Sequence, residues 1–237
     1  MPEYLVFSLV APMGSFGDLA GHERRGSHDW PGRGAILGLM GASLGIRRDD
    51  AAGQAELGRW RTAVAKLMPS RPFRDFHTVQ TVPSAIAKRP DSRRAAVAAA
   101  GQKINTIITQ RDYHMDCVFG VAVWGGADAP AVEAALRKPC FVPYLGRKSC
   151  PLSAPMAPKI VDAGDPLAAL RFVTLPPFWP KDATGENAPD SARPLLIASD
   201  APFGGGRVET RWDAPIDRKA WHFGPRQVHV GAGRAEE

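Results

Sequence analysis

The segment Asp112-Tyr-His-Met-Asp-Cys-Val-Phe-Gly-Val-Ala-Val-Trp124 carries the clearest secondary-structure pattern of the chain. Apolar side chains occupy every second position from Cys117 to Val123, which is the period of a strand with one buried face. Tyr4–Val10 is nearly all apolar and predicts a second strand, central in a sheet. Together with the helices described next, these strands favour an α+β fold class.

Two helices are predicted around these strands. Gly34–Leu44 spaces its apolar residues onto one helical face, and Gly45 is placed to end the helix. Asp128 suits the N-cap of a second helix, which runs to Lys138. The order is compatible with the ferredoxin-like core that RNA-binding modules use, and residues 151–237, with short extended runs between proline-rich loops, predict a small β-rich appendage ending in a mobile tail, Gly231–Glu237.

The segments between these elements are less regular. Ala11–Arg33 is rich in glycine and arginine and predicts a long loop that would form an anion site with the start of the following helix. Ala55–Met68 fits a helix or a short strand, and both interpretations stay open. Phe73–Val82 and Ile104–Ile108 are predicted to be extended on either side of the basic, alanine-rich Ser84–Gln102, which indicates an exposed hairpin or arm.

Composition narrows the class of protein. The chain has 237 residues, of which 44% are hydrophobic and 23% charged, so it can bury a sizeable core, and disorder is excluded for most of it. No apolar run approaches the length of a membrane span, and the start of the chain lacks the basic region of a signal peptide. We therefore expect a cytoplasmic protein without a membrane partner. The three cysteines have no zinc-ribbon spacing, so we expect free thiols, no metal and no cofactor.

Positive charge is concentrated in the first part of the chain. Residues 1–150 hold 20 Lys and Arg against 13 Asp and Glu, whereas residues 151–237 hold 10 against 11. Eleven of these cations lie in Arg59–Arg111 beside only two acids, and arginine outnumbers lysine 22 to 8. Because the guanidinium fork suits phosphate and base stacking, this pattern favours a nucleic-acid partner. A solvated basic face with a compositional arginine bias is the alternative.

Several motifs resemble one known family. They are Tyr4–Gly17, Pro31–Asp50, Arg74-Asp-Phe-His-Thr-Val79, Arg111-Asp-Tyr-His114 and Pro143-Tyr-Leu-Gly-Arg-Lys-Ser-Cys-Pro-Leu152. In this order they resemble the CasD family, the CRISPR-associated RAMP subunits of type I-E Cascade surveillance complexes that bind the 5′ handle of the guide RNA (crRNA).

The resemblance implies an RRM-like domain over residues 1–150, a β-hairpin thumb inserted near residues 78–109, and a small C-terminal β-rich domain over residues 151–237. It also implies a subunit that holds the crRNA 5′ handle, caps the filament of Cascade backbone subunits and contacts the large PAM-reading subunit. Target DNA is then contacted indirectly in antiviral defense, and the subunit itself does not cut RNA.

The candidate residues follow from the motifs and the charge. A handle-binding loop needs an aromatic face, a glycine and adjacent cations, which Tyr144–Cys150 supplies. The predicted RNA-binding residues are Ser15, Arg24, Arg25, Arg33, His77, Arg111, Tyr144, Gly146, Arg147, Lys148 and Ser149. The predicted thumb contacts to the guide and the backbone subunits are Lys88, Arg89, Arg93, Arg94 and Lys103. A flexible arm or a solvated turn is the alternative for these groups, and Trp30 either stacks on a base or anchors its loop.

Two other functions are compatible with the same residues. His77, Tyr113 and His114, with Arg111 nearby, could act as the acid and base of a metal-independent endoribonuclease that processes precursor guide RNA, as type I-C relatives do. A protein-interaction module, whose basic arm docks on acidic partners, is the third hypothesis. We expect a non-catalytic protein.

Overall fold

The central strand is β6, Asn105–Trp124, twenty residues long. The structure is a computed structural model, which describes residues 1–21, 23–83, 85, 86, 89, 91–178, 189–217 and 222–233. One edge of β6 pairs antiparallel with β1, Glu3–Gly14, and the other edge pairs antiparallel with β4, Arg61–Lys66, and β5, Arg71–Thr81. The strand predicted at Asp112–Trp124 is therefore confirmed, and the extended run at Ile104–Ile108 belongs to the same strand.

The remaining elements extend this sheet and cover it. The further strands are β2 Phe16–Ala20, β3 Arg24–His28, β7 Lys159–Asp162, β8 Leu196–Ser199, β9 Arg207–Asp217 and β10 His222–Ala232. The helices are α1 Arg33–Leu44, α2 Ala51–Leu57, α3 Arg93–Ala100, α4 Ala129–Arg137 and α5 Pro166–Leu170. No helix in the described part of the chain is long and apolar enough to span a bilayer. The architecture is α+β, as predicted, and the sheet makes up most of it.

Both faces of the sheet are buried where β1 and β6 pair. On one face Phe7 and Phe119 are fully buried against Leu37 and Met40 of α1 and Leu136 of α4. The other face packs under α5 and the residues after it, in a second apolar cluster. Burying one such side chain contributes about 1.5–3 kcal/mol, so the many buried side chains here make this part of the sheet a main source of hydrophobic stabilisation. Both predicted helices, α1 and α4, are confirmed, with Gly45 in a left-handed conformation after α1 and Asp128 capping α4.

The prediction of a long loop over Ala11–Arg33 is wrong. β1 continues to Gly14, and β2 and β3 form an antiparallel hairpin whose second strand pairs parallel to β6. Polar and glycine residues fill this hairpin, so it has the backbone bonds of strands without their hydrophobic pattern. Trp30 at its end is 9% exposed and lies under the Arg211 guanidinium, which fits the anchoring interpretation.

Two other segments differ in part from the structures predicted for them. Ala55–Met68 contains the end of helix α2 and then strand β4, so neither interpretation alone is right. The basic segment Ser84–Gln102 holds helix α3, capped by Ser92, at the end of the long β5–β6 hairpin. The hairpin is mostly exposed over β5, as predicted for an arm.

The C-terminal segment joins the same sheet. β7 pairs with β1, β8 pairs with β4, β10 pairs with β8, and β9 pairs with β10. The sheet therefore crosses the predicted boundary at residue 150, and the division into two domains stays a prediction. Part of the predicted mobile tail is wrong, because Gly231 and Ala232 pair with Ile197 and Leu196. Residues 234–237 lie outside the described residues.

A partly buried ionic network fastens β9 and β10 to the core. The Arg226 guanidinium donates hydrogen bonds to both carboxylate oxygens of Asp213 at 2.7 Å, and to Asp200. Asp200 in turn accepts a bond from the Thr62 amide at 2.7 Å and lies 3.5 Å from the Arg33 guanidinium. The network thus links the start of α1, β4, β9 and β10.

We expect Arg226→Ala to lower the free energy of unfolding by about 2 kcal/mol, because it removes the cation that binds the partly buried Asp213 carboxylate and takes one of two arginines from Asp200. Chemical denaturation measures this loss. Arg207→Ala is the matched control, since Arg207 is an exposed arginine that pairs with Glu209 on β9, and its loss should cost less than about 1 kcal/mol. Equal losses in the two variants would contradict a structural role for the network.

Candidate nucleic-acid interface

Three of the arginines predicted to bind RNA, Arg24, Arg25 and Arg111, lie where β3 pairs with β6. Arg24 pairs in register with Gln110, and Arg25 with Arg111. Because neighbouring residues of a strand point to opposite faces, Arg24 and Arg25 serve different surfaces of the β5–β6 hairpin. We call them the Asp112 face, which carries Arg24, and the Tyr113 face, which carries Arg25 and Arg111.

On the Tyr113 face, Arg147 is held against the hairpin. Its guanidinium lies 4.5 Å from the centre of the Tyr113 ring and donates long hydrogen bonds to the carbonyl oxygens of Asp112 and Arg25, at 3.4 and 3.3 Å. The Nε atom of Arg111 is buried and has no hydrogen-bond partner among the described residues. Three arginines therefore converge here, and one keeps an unused donor.

Ser15 and Gly146 fix the loop that carries Arg147. The Ser15 amide donates to the Leu145 carbonyl at 3.1 Å, and its hydroxyl donates to the Asp112 carbonyl at 3.0 Å. Gly146 has φ +79°, and a Cβ there would lie 1.7 Å from the Ser15 carbonyl oxygen. Ser15 is only 3% exposed, so its predicted role as a donor to RNA does not fit its hydroxyl, which is bonded inside the protein.

A groove runs from this loop along helix α1. It has a volume of about 810 Å³ and is lined by glycines of α1, by Tyr144 and Gly146, and by Arg47, Arg48 and Phe141. Tyr144 is 41% exposed, and the Arg47 guanidinium lies 6.0 Å from the centre of the Phe141 ring. Sequence reasoning missed Arg47, Arg48 and Phe141, although the adjacent arginines stand inside a motif that carried the family resemblance.

The other predicted residues are divided between surface and interior. Lys148 and Ser149 are exposed in the loop, and His77 on β5 is bonded to Asp75. Arg33 is only 12% exposed and is bonded to the Trp60 carbonyl at 2.9 Å, so the anion site predicted beside α1 has no Arg33 at its surface. Of the thumb residues, Arg89, Arg93, Arg94 and Lys103 are exposed near α3, and Lys88 lies outside the described residues.

The Asp112 face has a different organisation. One oxygen of the Asp112 carboxylate accepts hydrogen bonds from Arg24 at 2.8 and 3.0 Å, and the other accepts one from Arg74 at 2.7 Å. The hydrogen bond from Arg74 lowers the pKa of Asp112, so this carboxylate stays ionised.

The residues of the ribonuclease hypothesis are not brought together. His77 pairs with Thr109, four positions along β6 from Tyr113, which corresponds to about 13 Å. Tyr113 is 5% exposed, and His114 is held between Ser70 and Asp29 with burial lowering its pKa. The three cysteines are free thiols, and burial raises the pKa of Cys117 to about 12. No three metal-ligating side chains converge within the described ranges.

Comparison with known proteins matches residues 4–229 to the family model described as CRISPR-associated protein (Cas_Cas5). The chain belongs to the Cas5 family. It is 35% identical, over 184 residues covering 72% of this chain and 76% of the relative, to CRISPR system Cascade subunit CasD of Escherichia coli (strain K12). The resemblance found in the sequence motifs is thereby confirmed.

Solved structures agree with this membership. A chain of a CRISPR RNA-guided surveillance complex matches with a TM-score of 0.64 and 26% identity, covering 97% of this chain and 89% of that one. A second structure, described as a Cas protein, matches with a TM-score of 0.54 and 20% identity, covering 97% and 94%, and shows a shared fold.

We expect Gly146→Ala to destabilise the protein by about 3 kcal/mol or more, because a side chain there is strained by φ and also collides with the Ser15 backbone. Thermal and chemical unfolding measure the loss. Gly205→Ala is the matched control, since Gly205 has φ +80° and nothing within 4 Å of its Cβ position. A similar small loss of about 1 kcal/mol in both variants would contradict this prediction, because it would show that the Ser15 backbone moves aside to accommodate the added methyl group.

Proposed function

We propose that this chain is a crRNA-binding subunit of a Cascade-type ribonucleoprotein complex, and that it holds the 5′ handle of the guide. One observation carries the proposal: the arginines of the Tyr113 face are continuous, through the Tyr144–Ser149 loop, with a groove that contains further arginines and aromatic side chains. The similarity to a Cascade subunit and to a chain of a surveillance complex supports it.

The chemistry of the surface fits a single-stranded RNA end. Arg25, Arg111 and Lys148 supply cations for phosphates. Tyr144 offers an exposed ring on which an unstacked base can lie. Arg147 is fixed by Tyr113, so little side-chain entropy is lost when it meets a phosphate.

The topology supports an RRM-like unit at the base of this surface. The strand order β7-β1-β6-β4, all antiparallel, with α1 between β1 and β4 and α4 between β6 and β7, has the connections of a ferredoxin-like βαββαβ unit. We infer that the β5–β6 hairpin is the thumb, with its exposed cations toward the guide and the backbone subunits. Capping of the filament and contact with the large PAM-reading subunit complete the proposed role.

We expect the double variant Arg25→Ala/Lys148→Ala to bind repeat-derived handle RNA at least tenfold more weakly than the unchanged chain. Losing two phosphate contacts should also reduce the slope of log K against log salt by about 1.4, since each contact to a single strand contributes about 0.7. Fluorescence anisotropy over a range of salt concentrations measures both quantities.

Arg59→Ala/Arg207→Ala is the control for this pair, because it removes the same charge from exposed positions just after α2 and on β9. Unchanged affinity in Arg25→Ala/Lys148→Ala, or equal loss in the control, would contradict handle binding at the Tyr113 face. No affinity of any variant for repeat RNA would favour the protein-interaction hypothesis.

We propose that the chain does not cleave the guide. Repeat RNA incubated with the protein in EDTA should stay intact on a denaturing gel, since the candidate acid and base residues are separated in the structure. A product with a 2′,3′-cyclic phosphate, lost in His77→Ala or His114→Ala, would replace this proposal with the endoribonuclease.

A further inference from the structure

A second cluster of arginines lies on the Asp112 face, away from the groove. The Arg24 side chain is 61% exposed and the Arg74 side chain 43%, whereas the Asp112 side chain between them is 16% exposed. Two cations therefore share one anion, which leaves a positive charge at the surface. A guanidinium fork that points into solvent beside another is suited to a phosphodiester group.

Apolar side chains stand beside this cluster on the same face. Phe76 lies two residues from Arg74 on β5, and Ile108 lies four residues from Asp112 on β6. Because side chains alternate between the two faces of a strand, all four point to the same face. Phe76 is 61% exposed and Ile108 56% exposed. Exposed rings next to arginines form the stacking platforms of single-strand binding proteins. Neither side chain is buried, so packing in the core does not explain why apolar residues stand on this exposed hairpin.

We propose that Arg24, Arg74 and Phe76 bind a second nucleic-acid strand, single-stranded DNA, and that Asp112 limits this binding by occupying both arginines. The inference rests on the proposed function only in assigning the guide to the other face. The two faces of the hairpin are separated by the sheet itself, so one strand cannot lie flat on both. Both oxygens of the Asp112 carboxylate accept bonds from arginines, so the contacts offered there are to phosphates and bases, which a DNA strand supplies without a 2′-hydroxyl.

The proposed role of Asp112 predicts that removing its charge raises the affinity for single-stranded DNA. Asp112→Asn keeps the size of the side chain and removes the negative charge, so both arginines become available to phosphates. We expect it to raise affinity for a fluorescent single-stranded dT15 about threefold or more. Arg24→Gln/Arg74→Gln should lower that affinity at least tenfold, and Phe76→Ala should lower it severalfold.

Glu209→Gln is the matched control for Asp112→Asn. Glu209 also binds two arginines, Arg207 at 2.8 Å and Arg211 at 2.6 Å, and it too lies on a strand. A general effect of one added positive charge would appear equally in both variants. Equal gains, or a loss of affinity in Asp112→Asn at an unchanged unfolding temperature, would overturn the gating role of Asp112.

The decisive titration adds dT15 to the full chain, first alone and then saturated with labelled handle RNA. We expect dT15 to bind in both cases without releasing the RNA. Arg24→Gln/Arg74→Gln should retain handle affinity within twofold, because Arg24, which the sequence predicted as a handle-binding residue, lies on the face opposite to the Tyr113 face. Release of the handle by dT15, or parallel loss of both ligands in the double variant, would overturn a second site. If handle RNA fails to bind, the proposed function fails, while the titration of the free chain still tests the DNA site.

Discussion

Asp112 is the residue on which the arrangement of the surface depends. Its carboxylate accepts hydrogen bonds from Arg24 on β3 and Arg74 on β5, and its main-chain carbonyl accepts bonds from Ser15 and Arg147. One residue of β6 therefore holds side chains from the start of the β2–β3 hairpin, from β3, from β5 and from the Arg147 loop. Hydrogen bonds to a charged group are stronger than neutral ones, so the cluster stays ordered although two of its arginines are well exposed.

The length of β6 joins the stable part of the protein to the part that binds. From Cys117 to Val123 the strand is buried on both faces, and over Asn105–Ile108 it is exposed. Because the strand is continuous, no loop separates the hairpin from the core, and the core fixes where the hairpin stands. The binding side chains thus stand on a rigid element whose exposed half is free to carry charge, because the other half has already supplied the hydrophobic burial.

Sequence reasoning succeeded where one pattern decides the structure. Strand β6 and helices α1 and α4 follow from apolar periodicity and from Asp128 as a cap, all of which are local signals. The hairpin β2–β3 has no such pattern, so its residues were predicted as a loop. That error hid the alternation of Arg24 and Arg25, because two neighbouring arginines point to opposite faces only if they lie on a strand.

The candidate site was harder to predict because tertiary partners decide which arginines reach a ligand. Arg33 stands in a glycine-rich motif suited to anion binding, yet Asp200, distant in sequence, and the carbonyls of Trp60 and Gly58 hold it inside. Net charge counts such an arginine equally with an exposed one. Carboxylates also pair with Arg24, Arg74 and Arg226. What distinguishes Arg24 and Arg74 from Arg226 is exposure: a carboxylate partner at the surface orients the fork and leaves it within reach of a phosphate.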